Sequence, residues 1–210
     1  MAKLQMLPID QYPAVNRDDP IRFYNYPIVG SLYRRRVELC LSELSGGDKI
    51  LEVGFGSGVT FLSLKDGYKE IYGLELLARI DEISSAFRKL NVNLNLKIGS
   101  VLDMPYPDNY FDSVLLISIL EHLRPETLDK AFFEIRRVLK TGGQVIYGVP
   151  VSNPIMELLF RLLGYDIKQH HFSTENQISC AAENVLKRAN MNRMKIWGLR
   201  TYEVGHFVKI

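Results

Sequence analysis

The sequence predicts an α/β fold: a three-layer sandwich built on a mainly parallel seven-stranded sheet with an antiparallel final strand. Three observations carry this expectation. Five short apolar runs, KILEV at 49–53, EIYGLEL at 70–76, LNLKI at 94–98, FDSVLLI at 111–117 and QVIYGVP at 144–150, have strand length, and helix-compatible segments lie between most of them. Strands alternating with helices require crossover connections, and hence a parallel sheet with helices on both faces. The tail, KIWGLR followed by TYEVGHFVKI, adds two closing strands with the character of an antiparallel hairpin. With 47% hydrophobic and 24% charged residues in 210, the chain has material for one substantial core, so a single domain is expected. Residues 1–47 would form an arm and a helix, 48–150 the main sheet, and 151–210 further helices and the closing strands.

In chain order, the first 26 residues are rich in Pro, Asp, Asn and Tyr without a period and read as an irregular arm. Its Tyr12, Phe23, Tyr24 and Tyr26 either pack the arm onto the domain or close over a site. From residue 27, Val29, Leu32, Tyr33, Val37, Cys40, Leu41 and Leu44 recur three or four apart, the spacing of one helical face, and Gly46 and Gly47 are expected to end that helix. A helix over 125–139 follows from the stripe Leu128, Phe132, Ile135 and Leu139, with Pro125 in its first turn and Gly142 just past its end. A further helix over 154–163, introduced by Asn153 and closed by Gly164, is apolar nearly all round apart from Glu157 and Arg161. Such a surface must be covered, by a ligand pocket, a second copy of the chain or a membrane surface, and the pocket is preferred. Thr174 and Gln177 have capping-box spacing, so a third helix should open at Ser173 or Thr174 and run to about residue 190.

Charge and cysteine usage exclude several classes. The net charge is only +2, from 26 basic and 24 acidic residues, which disfavours a charge-driven nucleic-acid binder. Arg34, Arg35 and Arg36 are consecutive and so point to different sides of a helix, favouring a solvated face over a phosphate patch. Cys40 and Cys180 lie outside any C-x-x-C pattern and read as small buried side chains in a reducing compartment. The longest apolar run, VLLISIL at 114–120, is too short to span a bilayer. A soluble, cytoplasmic protein is therefore expected.

The most informative stretch is ILEVGFGSG at 50–58, an apolar strand running directly into Gly54, Gly56 and Gly58. Glycines there let the chain turn tightly and approach a ligand closely. Glu75 stands 21 residues after Gly54, close to the roughly 20 at which an acid in such units meets ribose hydroxyls, which implies a nucleoside. Glu52, beside the turn, would repel a pyrophosphate and favour an ammonium or sulfonium group. Val59 stands where the G-x-G-x-x-G dinucleotide pattern needs its third glycine. Both facts point away from a nicotinamide dinucleotide and towards S-adenosylmethionine.

ILEVGFGSG resembles motif I of the class I, Rossmann-like S-adenosylmethionine-dependent methyltransferases, an acid, any residue, then G-x-G-x-G. YGLELL at 72–77 is similar to the family's ribose-binding strand end. MPYPDNYFDSVLLISILEHL at 104–123 and FFEIRRVLKTGGQVIYGVP at 132–150 resemble the later blocks of its small-molecule members. The resemblance covers residues 49–150, and it implies S-adenosyl-L-methionine as the cofactor. Position by position, it implies that Glu52 orients the methionine ammonium and that the turn Gly54, Phe55, Gly56 to Gly58 lines the methionine part. Glu75, followed by Leu76, would accept the ribose hydroxyls. Where the family commonly has Gly-Asp after the third strand this chain has Gly99 and Ser100, so adenine would meet Ser100, Val101 and Leu102. Ile117 and Ser118 would lie beside the methyl group.

Methyl transfer from a sulfonium is an in-line displacement, and a general base is needed only if the acceptor must lose a proton. His122 in LEHL and the pair His170 and His171 in KQHHFSTEN are the candidate bases; loop hydrogen bonding is the competing reading for each. Two adjacent histidines without a nearby carboxylate at ligand spacing are a poor zinc signal, so no metal is expected. His206 reads as a strand-face residue. The implied activity is methylation of a small-molecule acceptor, hydrophobic if the 154–163 helix roofs its pocket, with O-methylation ahead of N or C because histidines flank the mouth. A non-catalytic S-adenosylmethionine-binding module and a nicotinamide-dependent oxidoreductase remain as alternatives, and a homodimer is open.

Overall fold

A computed structural model of the chain describes residues 3–13, 20–151, 171–196 and 198–210. Two short 3-10 turns, Ile9–Gln11 and Pro20–Asn25, precede α1 (Pro27–Leu41) and β1 (Gly47–Val53). Then come α2 (Phe61–Leu64), β2 (Tyr68–Glu75), α3 (Ile80–Arg88), β3 (Leu94–Ile98) and β4 (Phe111–Ile117). A 3-10 turn, Leu120–His122, leads to α4 (Pro125–Val138) and β5 (Leu139–Pro150), followed by α5 (Glu175–Glu183), β6 (Lys187–Ile196) and β7 (Leu199–Val208). The seven strands form one sheet in the order β3-β2-β1-β4-β5-β7-β6. All pairings from β3 across to β5 are parallel, and β7 runs antiparallel to both its neighbours.

This order matters for the site. From β1 the chain builds outward to β2 and β3, then returns to place β4 on the other side of β1. At such a reversal the loops leaving neighbouring strands splay apart, and a crevice opens beyond their carboxyl ends.

Each sheet face carries its own apolar cluster. α4 and α5 cover one with Leu128, Phe132, Ile135, Ile178 and Ala182; α1, α2, α3 and the arm cover the other, the helices with Val37, Cys40, Phe61, Ile83 and Phe87. Phe132 and Ile135 are fully buried, each worth about 1.5–3 kcal/mol relative to exposure. The arm joins this packing: Leu4, Leu7, Tyr12, Ile21 and Tyr24 are buried, and the Tyr12 ring meets the edge of Phe87 with centroids 6.1 Å apart. Tyr26 alone of the four arm aromatics is well exposed.

Several expectations need correction. α1 ends at Leu41, before the glycine pair, because Ser42 N–H bonds the Glu38 carbonyl and Leu44 N–H that of Leu41, closing a turn there. Val29 is exposed, since Gly30, Val37, Cys40 and Leu41 are the residues α1 buries. Leu139 is buried as expected but opens β5 instead of closing α4, and Gly142 sits within that strand at φ +78°, its N–H bonding the Lys209 carbonyl. Thr174 and Gln177 do form a capping box, but α5 stops at Glu183, because residues from Lys187 onward pair with β7 over ten positions of strand. Cys180 is exposed, because α5 turns Ile178, Ala181 and Ala182 inward instead. The helix expected over 154–163 lies outside the described residues. Among the described residues no helix is long and apolar enough to cross a membrane.

Candidate functional site

The crevice is built first by backbone. β1 delivers the chain into Gly54, Gly56 and Gly58, which adopt φ of +72°, +52° and +81°. Glycine is needed at the first for a second reason: a Cβ on Gly54 would lie 2.0 Å from Ile119 Cδ1. The side chain leaving β4 therefore closes directly on the turn leaving β1. Gly54 N–H continues the ladder to the Leu74 carbonyl at 2.8 Å, and Gly58 N–H closes the turn on the Phe55 carbonyl at 2.8 Å.

Glu75, the last residue of β2, reaches across to this turn. Its Oε2 accepts from Gly56 N–H at 3.0 Å and its Oε1 from Leu76 N–H at 2.8 Å, so two backbone donors hold the carboxylate at the crevice rim. Gly99 N–H bonds the Glu75 carbonyl, tying the exit of β3 to the same point. Beyond it, Ser100 and Asp103 form an isolated bridge, Ser100 Oγ accepts from Leu102 N–H at 3.2 Å, and Val101 is buried in the core. Asp103 faces solvent.

Glu52 is buried, with 4% of its surface exposed, and accepts a short hydrogen bond from the Thr60 hydroxyl. Burial pushes its carboxyl up to about 8 against that hydrogen bond, and the neighbouring Glu75 adds to the rise. The permanent negative charge expected beside the turn is thus conditional: at neutral pH the carboxyl is mostly protonated unless a cation arrives. Phe55 turns inward, packing on Phe61 at 5.5 Å and against Gly73, while Leu76 is 63% exposed at the rim.

On the far side, β4 ends at half-buried Ile117, and Ser118 takes the left-handed φ of +58°. Ser118 N–H bonds the Gly148 carbonyl at 2.8 Å, and its hydroxyl lies 3.1 Å from that of Tyr202 on β7. Burial holds the Tyr202 hydroxyl well above its usual range, so it stays protonated. Arg36 of α1 lays its guanidinium over the Tyr33 ring at 3.8 Å and near that of Tyr202 at 5.6 Å; Arg34 covers Tyr24 at 5.7 Å. The solvated reading of the arginine run therefore survives only for Arg35, which is exposed.

Next to Ser118 the chain turns through Leu120–His122 and receives the segment leading into α5. Phe172 N–H and Ser173 N–H both bond the Glu121 carbonyl, at 2.8 and 3.2 Å, and Ser173 Oγ bonds the Leu123 carbonyl at 2.6 Å. This docking brings His171 to His122, with ring centroids 5.2 Å apart. Glu121 completes the group: one ligand atom from each of Glu121, His122 and His171 lies within 4.8 Å of the others. Sequence reasoning chose both histidines and missed Glu121, whose only signal was its place beside His122. His170 lies outside the described residues. His206 sits in β7 with Nδ1 3.3 Å from Glu43, as a strand-face residue.

A parallel sheet that reverses order at β1, with a glycine turn leaving that strand and an acid at the end of the next, defines a Rossmann-like nucleoside-binding domain. Residues 51–147 match the family described as "Methyltransferase domain". Over this span the chain is similar to S-adenosylmethionine-dependent methyltransferases. It is 29% identical over 161 residues to ajmaline N-methyltransferase of Rauvolfia serpentina, covering 69% of this chain and 55% of that one. With fatty-acid O-methyltransferase of Mycolicibacterium smegmatis it shares 31% over 150 residues, 62% of this chain and 53% of the other. The N-methyltransferase NodS of Bradyrhizobium japonicum WM9, solved with S-adenosyl-L-homocysteine, has the same fold, with a TM-score of 0.68 at 16% identity over 96% of both chains. The chain spans about half the length of the curated relatives it matches.

Proposed function

We propose that this chain binds S-adenosylmethionine between the β1 glycine turn and Glu75 and directs its methyl group to a small-molecule acceptor, by O-methylation. The observation that carries the reading is the Glu75 carboxylate, held by Gly56 N–H at the rim of a turn whose three glycines all take positive φ. A carboxylate in that place suits the paired hydroxyls of a ribose. Glu52, buried beside the turn, suits a cationic group, whose arrival would stabilise its ionised form. These residues fit a sulfonium nucleoside better than a dinucleotide pyrophosphate.

When bound, the donor supplies an electrophilic methyl group on a positively charged sulfur. The chain's own work is then alignment and exclusion of water. Gly54–Gly58 and Glu52 hold the amino-acid end, Glu75 the ribose, and Ser100 to Leu102 the base. Ile117 and Ser118 border the transferred methyl group, with Ser118 braced by Tyr202. His122 and His171, on the next turn of chain, stand where an acceptor hydroxyl would surrender its proton, which favours O-methylation. A small acceptor is supported by the similarity to methyltransferases of ajmaline and of fatty acids and by the net charge of +2, which gives no field for a polyanion.

A thermal-shift comparison tests the reading. S-adenosylhomocysteine should raise the melting temperature and NADH should not, because only a ligand that favours the folded state stabilises it. A shift with NADH alone would make the chain an oxidoreductase. Stabilisation by S-adenosylhomocysteine without methyl transfer to any of a panel of phenols, fatty acids and amines would make it a non-catalytic binding module.

A further inference from the structure

Glu121, His122 and His171 converge outside the donor crevice. The first two come from the turn Leu120–His122, and the third from the segment that docks on it, pinned by the Phe172 and Ser173 N–H bonds to the Glu121 carbonyl. Glu121 is only 2% exposed, and among the described residues its Oε2 has no hydrogen-bond partner. A buried carboxylate oxygen left in that state is costly and normally marks a missing partner. Arg36, whose field reaches Glu121, lies over the rings of Tyr33 and Tyr202; its own Nε is likewise buried without a partner, and among the described residues it makes no hydrogen bond to Oε2.

We propose that Glu121, His122 and His171 bind a divalent transition-metal ion, of the Zn2+, Co2+, Fe2+ or Ni2+ kind, on the acceptor side of the crevice. The donor set decides the class of ion. Two imidazole nitrogens and one carboxylate oxygen suit borderline metals, whereas Mg2+ and Ca2+ take oxygen ligands. The spacing is close to what such an ion needs: three atoms 4.8 Å apart place a central ion about 2.8 Å from each, and side-chain rotations of under ~1 Å bring them to the usual ~2.0–2.1 Å. Three protein ligands leave at least one position open, as in catalytic rather than structural sites. Glu121 and His122 lie three and four residues after Ser118, which follows directly on the strand end that we place beside the methyl group. Resting on that functional reading, the ion would hold an acceptor oxygen and lower its pKa, so that its proton is lost to solvent water and the acceptor meets the methyl group as an anion; with the ion bound, the two imidazoles serve as its ligands in place of the base role.

The test uses the full chain without a polyhistidine tag, stripped with a chelator and titrated with Co2+ and with Zn2+ by calorimetry. Visible absorption reports imidazole coordination of Co2+. One equivalent of either ion should bind per chain, and His171→Ala, His122→Ala and Glu121→Gln should each weaken it by about 10- to 100-fold or more, with His206→Ala unchanged. Circular dichroism shows whether each variant is folded, and three substitutions at one centre keep the test valid if one fails to fold. No binding at one equivalent, or binding that survives all three substitutions, would overturn the proposal. Titrating S-adenosylhomocysteine into the same samples separates the two claims: metal binding without it leaves this site standing and removes the donor reading, and the reverse removes only the metal.

Discussion

The two banks of the crevice are built differently. The proposed donor bank, from Gly54 to Gly58 with Glu75 opposite, is mostly backbone: positive φ angles, N–H groups aimed at one carboxylate, and a first glycine with no room for a Cβ beside Ile119. The proposed acceptor bank, Ser118, Glu121, His122, His171 and Tyr202, is all side chains, brought from four places in the chain and joined by loop hydrogen bonds. A backbone site tolerates no change at its glycines and binds one kind of ligand. A site of side chains on loops can change its acceptor by changing residues one at a time.

The largest effect should come from Gly54→Ala. Its Cβ would meet Ile119 at 2.0 Å in a left-handed conformation, so we expect about 1–3 kcal/mol of destabilisation in urea titration and no measurable S-adenosylhomocysteine binding. An unchanged affinity would mean that the turn is not the donor site. On the acceptor bank, His171→Ala should lower turnover by about 10²- to 10⁴-fold while leaving the chain folded, read by steady-state kinetics once an acceptor is found. A loss of folding instead would reduce His171 to a loop strut.

pH sharpens the contrast, because each bank contains one buried acid. Burial raises the carboxyls of Glu52 and Glu121 from 4.5 to about 8. In the unfolded chain these protons leave near 4.5, whereas in the folded chain they stay on until about 8. Their contribution to stability is therefore complete below pH 4.5 and is lost as the pH rises through 8. Glu52→Gln and Glu121→Gln should each flatten that decline in urea titrations across this window. A cationic donor should also discharge the Glu52 proton, so calorimetry at pH 7 in two buffers of different ionisation enthalpy should find proton release approaching one per donor bound, lost in Glu52→Gln. The smallest effect belongs to Cys180→Ser, on the exposed side of α5, which should change stability by less than about 0.5 kcal/mol.

The same contrast explains what the sequence could disclose. The glycine turn lies in consecutive residues, so ILEVGFGSG and the spacing to Glu75 pointed to the crevice that the structure forms there, and the strands β1 to β4 fell within two residues of their expected bounds. The capping box at Thr174 and the closing hairpin were legible for the same local reason. Glu121 and His171 stand 50 positions apart, and nothing in either segment announces that Phe172 and Ser173 will bond the Glu121 carbonyl. Tyr202 reaches Ser118 across 84 positions and carried no signal at all. Where pairing across the sheet competed with a local period, as at Lys187 beyond α5, the pairing won. Arg34 finds Tyr24 only once the arm has packed, and Arg36 reaches Tyr202 only across the sheet.

The central claim is that an acid-flanked glycine turn receives a sulfonium nucleoside, and calorimetric titration of S-adenosylhomocysteine into the native chain and Glu75→Ala tests it most directly. Two hydrogen bonds from ribose to a charged acceptor are worth about 3 kcal/mol, so the substitution should weaken binding by about 100-fold while the circular dichroism spectrum stays the same. Equal affinity in the two proteins, or no binding by the native chain, would contradict it.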